Sequence, residues 1–109
     1  VSSHLLIERD GSLVQFVPFN KKAWHAGVSS FKGREDCNEF SIGIELEGAD
    51  ENAYTDDQYR ALIDITKELM LVFQDIKKEN IVGHSDIAPD RKTDPGKAFN
   101  WHYYLSNLV

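Results

Sequence analysis

Apolar positions along the chain follow two different periods, and the polar runs between them carry the turn signals. In His4 to Phe19 the segments LLIE and SLVQFV are apolar and β-prone. Asp10-Gly11 stands between them, so the stretch reads as a hairpin with a two-residue turn. Phe40 to Leu46, FSIGIEL, reads as a short central strand, and Asn80-Ile81-Val82 as a brief strand covering its second edge. Thr55 to Phe73 has helical spacing instead. Tyr59, Leu62, Ile63, Thr66, Leu69, Met70 and Phe73 fall on one face. Thr55 with Gln58 forms a capping box, and Asp56 and Asp57 suit the positive end of the helix dipole. Asn100 caps a last short helix, Trp101 to Asn107, with Trp101, Tyr104, Leu105 and Leu108 turned to the core. Residues 20 to 38 show no sustained period and read as a long loop, a feature usually tied to function.

Composition narrows the class. With 109 residues, 41% hydrophobic, the chain has room for one core and reads as globular. Eighteen acidic against twelve basic residues leave a net charge of −6, which argues against nucleic acid or an anionic membrane as the main partner. No apolar run reaches the length of a membrane span. The single Cys37 excludes an internal disulfide framework and suits a reducing compartment. Only three strands are recognisable, and a central strand such as FSIGIEL wants neighbours on both edges. A further strand is therefore expected upstream of Val1.

Candidate chemistry concentrates in GHSDIAPDRKTDPG, residues 83 to 96. Histidine and carboxylate are borderline donors suited to Zn²⁺, and hydrolytic sites hold the metal by three protein groups with a fourth position open. His84 and Asp94 can converge across a loop that contains Pro89 and Pro95. The competing assignment is a strand-end histidine and a turn-capping aspartate in a solvated loop. Glu45 and Glu47 in IELEG point to the same side of a strand. A carboxylate there, beside a cleft, has the character of a general base for water. For Glu47 an exposed acid at the strand end is the simpler assignment. Lys92 can share a side with Asp94 and hold charge developing on a carbonyl oxygen, or be an ordinary surface lysine. Trp24 in WHAG is either a core plug or an exposed platform for a ligand. A hydrogen-bonded structural role is preferred for His25, and His4 and His102 are most simply structural.

Taken in order, HLLIERDGSLVQFVPFNKKAWHAG, CNEFSIGIELEG, AYTDDQY and GHSDIAPDRKTDPG resemble the zinc-dependent N-acetylmuramoyl-L-alanine amidases, in particular the branch acting on 1,6-anhydro-muropeptides in cell-wall recycling. The likeness runs essentially from end to end. It implies an α+β fold, a mixed β-sheet flanked by helices, with residues 1–109 forming the C-terminal portion of a single amidase domain. It implies Zn²⁺ as cofactor, with His84 and Asp94 as two of its ligands. It further implies Glu45 as catalytic base, Lys92 as the oxyanion lysine, and Trp24 and Arg91 as substrate contacts. The reaction implied is hydrolysis of the amide joining the lactyl group of the muramic sugar to L-alanine. The partner is then a small muropeptide, with no nucleic acid and no membrane, and the expected location is the cytoplasm.

One departure stands out. The family's third zinc ligand is a histidine on an early strand, in a VxHN-like segment that this sequence does not contain. His4 aligns with another position, and nothing in the resemblance makes His25 or His102 a substitute. An upstream segment or a second chain would have to supply the missing ligand, and the isolated chain is expected to be weakly active or inactive. The alternative from another class is a non-catalytic muropeptide-binding module that keeps Trp24 and Arg91 without the metal. Retention of Glu45, Lys92, His84 and Asp94 together speaks against it.

Overall fold

The computed structural model describes residues 2–49 and 52–108. In chain order, strands β1 (Leu5–Ile7) and β2 (Leu13–Gln15) are followed by β3 (Ser30–Phe31), β4 (Arg34–Glu35) and β5 (Ile44–Leu46). Helices α1 (Asp56–Val72), α2 (His84–Ile87) and α3 (Trp101–Ser106) complete the set. The main sheet has the order β2-β1-β5, with β1 antiparallel to β2 and parallel to β5. It is a mixed sheet packed with helices, an α+β fold.

The hairpin forms where the pattern places it, but its turn differs from the expected two-residue form. Glu8 N–H donates to the Ser12 carbonyl at 2.9 Å, leaving Arg9, Asp10 and Gly11 as a three-residue loop. Gly11 closes it at φ +87°, and a Cβ there would meet the Asp57 carbonyl oxygen at 2.9 Å, so a side chain fits neither the torsion nor the space. Residues 20 to 38 are less featureless than their composition suggests. A small hairpin, β3–β4, turns at Lys32 (φ 51°) and Gly33 (φ 82°), and a 3₁₀ turn follows at Cys37–Glu39. Strands of two residues are too short to display a period, which is why the pattern missed them.

The expected strand Asn80–Val82 is not formed. Lys78–Asn80 make a 3₁₀ turn, and Ile81 continues extended with no ladder partner among the described residues. The second edge of β5 is therefore open among the described residues.

Helix α1 begins as its sequence requires. Thr55 Oγ1 accepts from Gln58 N–H at 3.1 Å, and Gln58 Oε1 accepts from Thr55 N–H at 3.1 Å, the two halves of a capping box. Tyr59, Leu62, Ile63 and Leu69 are buried from this helix, while Met70 and Phe73 are only half-buried. Tyr59, Leu62 and Ile63 meet Leu5 and Ile7 from β1, with Phe99, Tyr104 and Leu108 closing the core from the C-terminal side. Full burial of a side chain such as Ile7 stabilises by roughly 1.5–3 kcal/mol. Asn100 Oδ1 accepts from Tyr103 N–H at 3.0 Å and starts α3 as anticipated. With Leu5, Ile7, Ile44 and Leu46 directed at this core, Leu6 and its partner Glu45 lie on the opposite face of the sheet.

Candidate metal-donor site

Residues 83 to 96 fold back on themselves. Ser85 N–H donates to the Asp94 carbonyl at 3.0 Å, and Gly83 N–H donates to Asp86 Oδ2 at 2.8 Å. This closure brings His84 Nδ1 to 3.3 Å from Asp94 Oδ2. The other ring nitrogen is engaged elsewhere: Nε2 lies 2.9 Å from the Ala26 carbonyl. A carbonyl only accepts, so Nε2 carries hydrogen, and in the neutral ring Nδ1 presents its lone pair to a carboxylate oxygen. Two such acceptors at this distance call for a proton or a cation between them. Adjacent donors in a tetrahedral zinc shell, each at about 2.0–2.1 Å from the metal, are separated by about 3.3 Å, and a zinc-bound histidine usually gives its far N–H to a carbonyl or carboxylate. The pair therefore fits two positions of a metal shell. No third His, Cys, Asp or Glu joins it among the described residues.

Arg91 uses the same acceptor. Its Nη2 donates to the Ala26 carbonyl at 2.6 Å and to the Val28 carbonyl at 3.0 Å, and the guanidinium lies against Gly27. One carbonyl in WHAG thus ties both His84 and Arg91 to the loop that carries Trp24. Trp24 is 62% exposed, with the Lys22 ammonium 3.8 Å from its ring centroid, so it is a surface side chain and not a core plug. The loop is held from behind by buried Asn38, whose Oδ1 accepts from His25 N–H at 3.0 Å and Ala26 N–H at 2.8 Å. Neither Asn38 nor the Ala26 carbonyl was singled out from sequence. A backbone acceptor has no side-chain signature, and an asparagine near a strand has many uses.

Glu45 is exposed on β5, and Lys92 is half-buried two residues before Asp94. Glu47, also exposed, accepts from Arg9 N–H at 2.8 Å and ties the end of β5 to the first hairpin. His4 is buried, with Nδ1 accepting from Gly43 N–H at 3.1 Å and Nε2 lying 2.6 Å from the Lys21 carbonyl, a structural role. His102 is exposed on α3. His25 is drawn into the site region. Burial lowers its pKa to about 4, helped by the neighbouring imidazoles of His4 and His84.

These features define an α+β domain with a His–Asp donor pair beside a mixed sheet, tied to an exposed tryptophan. The chain belongs to the N-acetylmuramoyl-L-alanine amidase family, whose model matches residues 1–97. It is 64% identical over 101 residues to the 1,6-anhydro-N-acetylmuramyl-L-alanine amidase AmpD of Escherichia coli, covering 93% of this chain and 55% of that protein. The crystal structure of a selenomethionine derivative of AmpD matches at TM-score 0.96 and 56% identity, over all of this chain and 60% of that one. AmiD of E. coli, in complex with anhydro-N-acetylmuramic acid-L-Ala-D-γ-Glu-L-Lys, matches at TM-score 0.92 and 35% identity, over 99% of this chain and 48% of that one. The chain thus spans little more than half the length of such relatives.

Proposed function

We propose that the protein is a zinc-dependent N-acetylmuramoyl-L-alanine amidase of 1,6-anhydro-muropeptides, working in cell-wall recycling in the cytoplasm. Residues 1–109 are then a portion of one amidase domain. The observation that carries this reading is the His84 Nδ1–Asp94 Oδ2 pair at 3.3 Å, tied through the Ala26 carbonyl to the tryptophan loop. The names of the relatives supply the substrate class, and their substrate-bound structures support it.

His84 and Asp94 would hold the zinc, with a further donor from outside this chain's described residues. Zinc in such a shell supplies a Lewis acid that polarises the scissile carbonyl and acidifies water. Glu45 takes the proton from the attacking water and returns it to the departing amine of L-alanine. Lys92 holds the oxyanion as the carbonyl becomes tetrahedral. Trp24 packs on the substrate, and Arg91, whose Nη2 already ties the loop, offers its remaining donors to a substrate carboxylate. Water adds across the amide, leaving the lactyl carboxylate and the free peptide amine. No helix among the described residues is long and apolar enough to cross a membrane.

The test is incubation of the full natural-length protein with an anhydro-muropeptide, with and without zinc, scored by release of free peptide. Zinc-dependent release that Glu45→Ala abolishes is expected. No release with zinc, or an unchanged rate in Glu45→Ala, sinks the reading. The exposed Trp24 favours one rival, a muropeptide-binding module. It would show zinc-independent affinity lost in Trp24→Ala, without cleavage.

A further inference from the structure

One side chain reaches from the tryptophan loop to the start of β5. The His25 ring lies against Gly43, the residue before the strand: a methyl there would sit 2.5 Å from both Cγ and Nδ1 of the ring. Its Nε2 is 3.1 Å from Ser41 Oγ, whose own hydrogen goes to the Cys37 carbonyl at 2.6 Å, so the ring donates and the hydroxyl accepts. Gly43 is also held by the second imidazole. Its N–H donates to His4 Nδ1 at 3.1 Å, and its carbonyl accepts from His4 N–H at 2.9 Å. The two rings meet edge to face at 5.8 Å.

On the main-chain side, the residue after His25 provides the carbonyl that receives His84 and Arg91, and Asn38 fixes both amides of that turn. A single imidazole and a single peptide unit therefore separate the entry to β5 from the His84–Asp94 loop. Glu45 follows Gly43 by two residues, inside the strand that this contact sets in place.

We infer that His25 is a positioning residue, acting through Gly43 and Ala26 to set Glu45 relative to His84 and Asp94. The inference rests on the amidase reading, in which Glu45 must face the water that attacks the scissile carbonyl. Misplacement of a reacting group by about 1 Å can cost about a hundredfold in rate, so loss of the wedge acts on turnover while leaving both binding partners in place.

The test compares wild type, His25→Ala, Gly43→Ala and the double variant in the full natural-length protein. The readouts are kcat, KM for an anhydro-muropeptide, bound zinc, and amide chemical shifts. His25→Ala is expected to lower kcat by about 10- to 100-fold with KM within about twofold and zinc unchanged. Gly43→Ala alone is also expected to be slow, because its methyl collides with the ring. The double variant, which puts the methyl into the vacated space, is expected to recover at least about fivefold over His25→Ala. Unchanged kcat in His25→Ala, zinc lost in proportion to activity, or a double variant no faster than His25→Ala overturns the inference. A wild-type protein that releases no peptide with zinc defeats the amidase reading itself. The shifts then decide the positioning question. Joint displacement of the Glu45 and His84 amides in His25→Ala supports it, and changes confined to residues 24–26 overturn it.

Discussion

Gln58 is the most heavily engaged side chain beneath the sheet, and Gln58→Leu is the sharpest test of what holds β5 to β1. The residue is fully buried. Its Nε2 donates to the Ile7 carbonyl at 3.2 Å and the Glu47 carbonyl at 2.9 Å, while Oε1 accepts from Thr55 N–H and from Arg9 Nη1 at 3.3 Å. Leucine has nearly the same volume but removes all four bonds. The two carbonyls keep other donors, since Ile7 also accepts from Glu47 N–H at 2.9 Å and Glu47 from Arg9 Nη1 at 3.5 Å. Thr55 N–H loses the acceptor that the capping box provides. One stranded amide costs about 1–3 kcal/mol, and the three bonds with alternative partners cost about 0.5 kcal/mol each, for a total of about 3 kcal/mol. With a urea dependence of about 1.5 kcal/mol/M for a domain of this size, the midpoint falls by about 2 M. Urea titration followed by circular dichroism measures this directly, with Gln74→Leu on the exposed end of the helix region as the control expected to move little. A Gln58→Leu midpoint within about 0.5 M of wild type would refute the assignment of these bonds as the clamp between the strands.

Three further outcomes follow from the same geometry. Thr66 Oγ1 lies 2.7 Å from the buried Tyr104 hydroxyl, so Thr66→Val strands that hydroxyl and costs about 1–2 kcal/mol. Adding Tyr104→Phe should return part of the loss, and equal stability of the single and double variants would exclude the coupling. His25 has its folded pKa lowered to about 4 from an ordinary 6.5, so the unfolded chain binds the extra proton first. Its contribution to stability is complete above pH 6.5 and is lost as pH falls toward 4. Urea midpoints across this range should decline less steeply in His25→Gln, and an identical slope would remove His25 as the cause. Arg91→Lys cannot reproduce the donor shared between the Ala26 and Val28 carbonyls. It should speed amide exchange at residues 27–29 and lower kcat/KM by about tenfold, and unchanged exchange would show that the tie is dispensable.

Much of this molecule is legible in one dimension. Helix α1 starts at Thr55 because its cap and its third residue partner one another locally, and its apolar period needs no distant information. The Asn100 cap is local in the same sense. The inventory of site chemistry, with histidine, aspartate, lysine and arginine in one stretch, is likewise plain from GHSDIAPDRKTDPG, as is its place in a family pattern. The sequence allows His84 and Asp94 to converge across Pro89 and Pro95, but the tie of this stretch to WHAG could not be read there. The Ala26 carbonyl gathers His84 from 58 residues away and Arg91 from 65, and a main-chain oxygen looks the same in every sequence. Ile81 and Val82 are β-prone, yet Asn80 ends a 3₁₀ turn and the extended Ile81 pairs with no strand among the described residues, because pairing depends on what lies alongside and not on propensity. His25 is one imidazole among four in the sequence. Only the fold decides that this ring, set against a residue without a side chain, lies between the His84–Asp94 loop and the strand of Glu45.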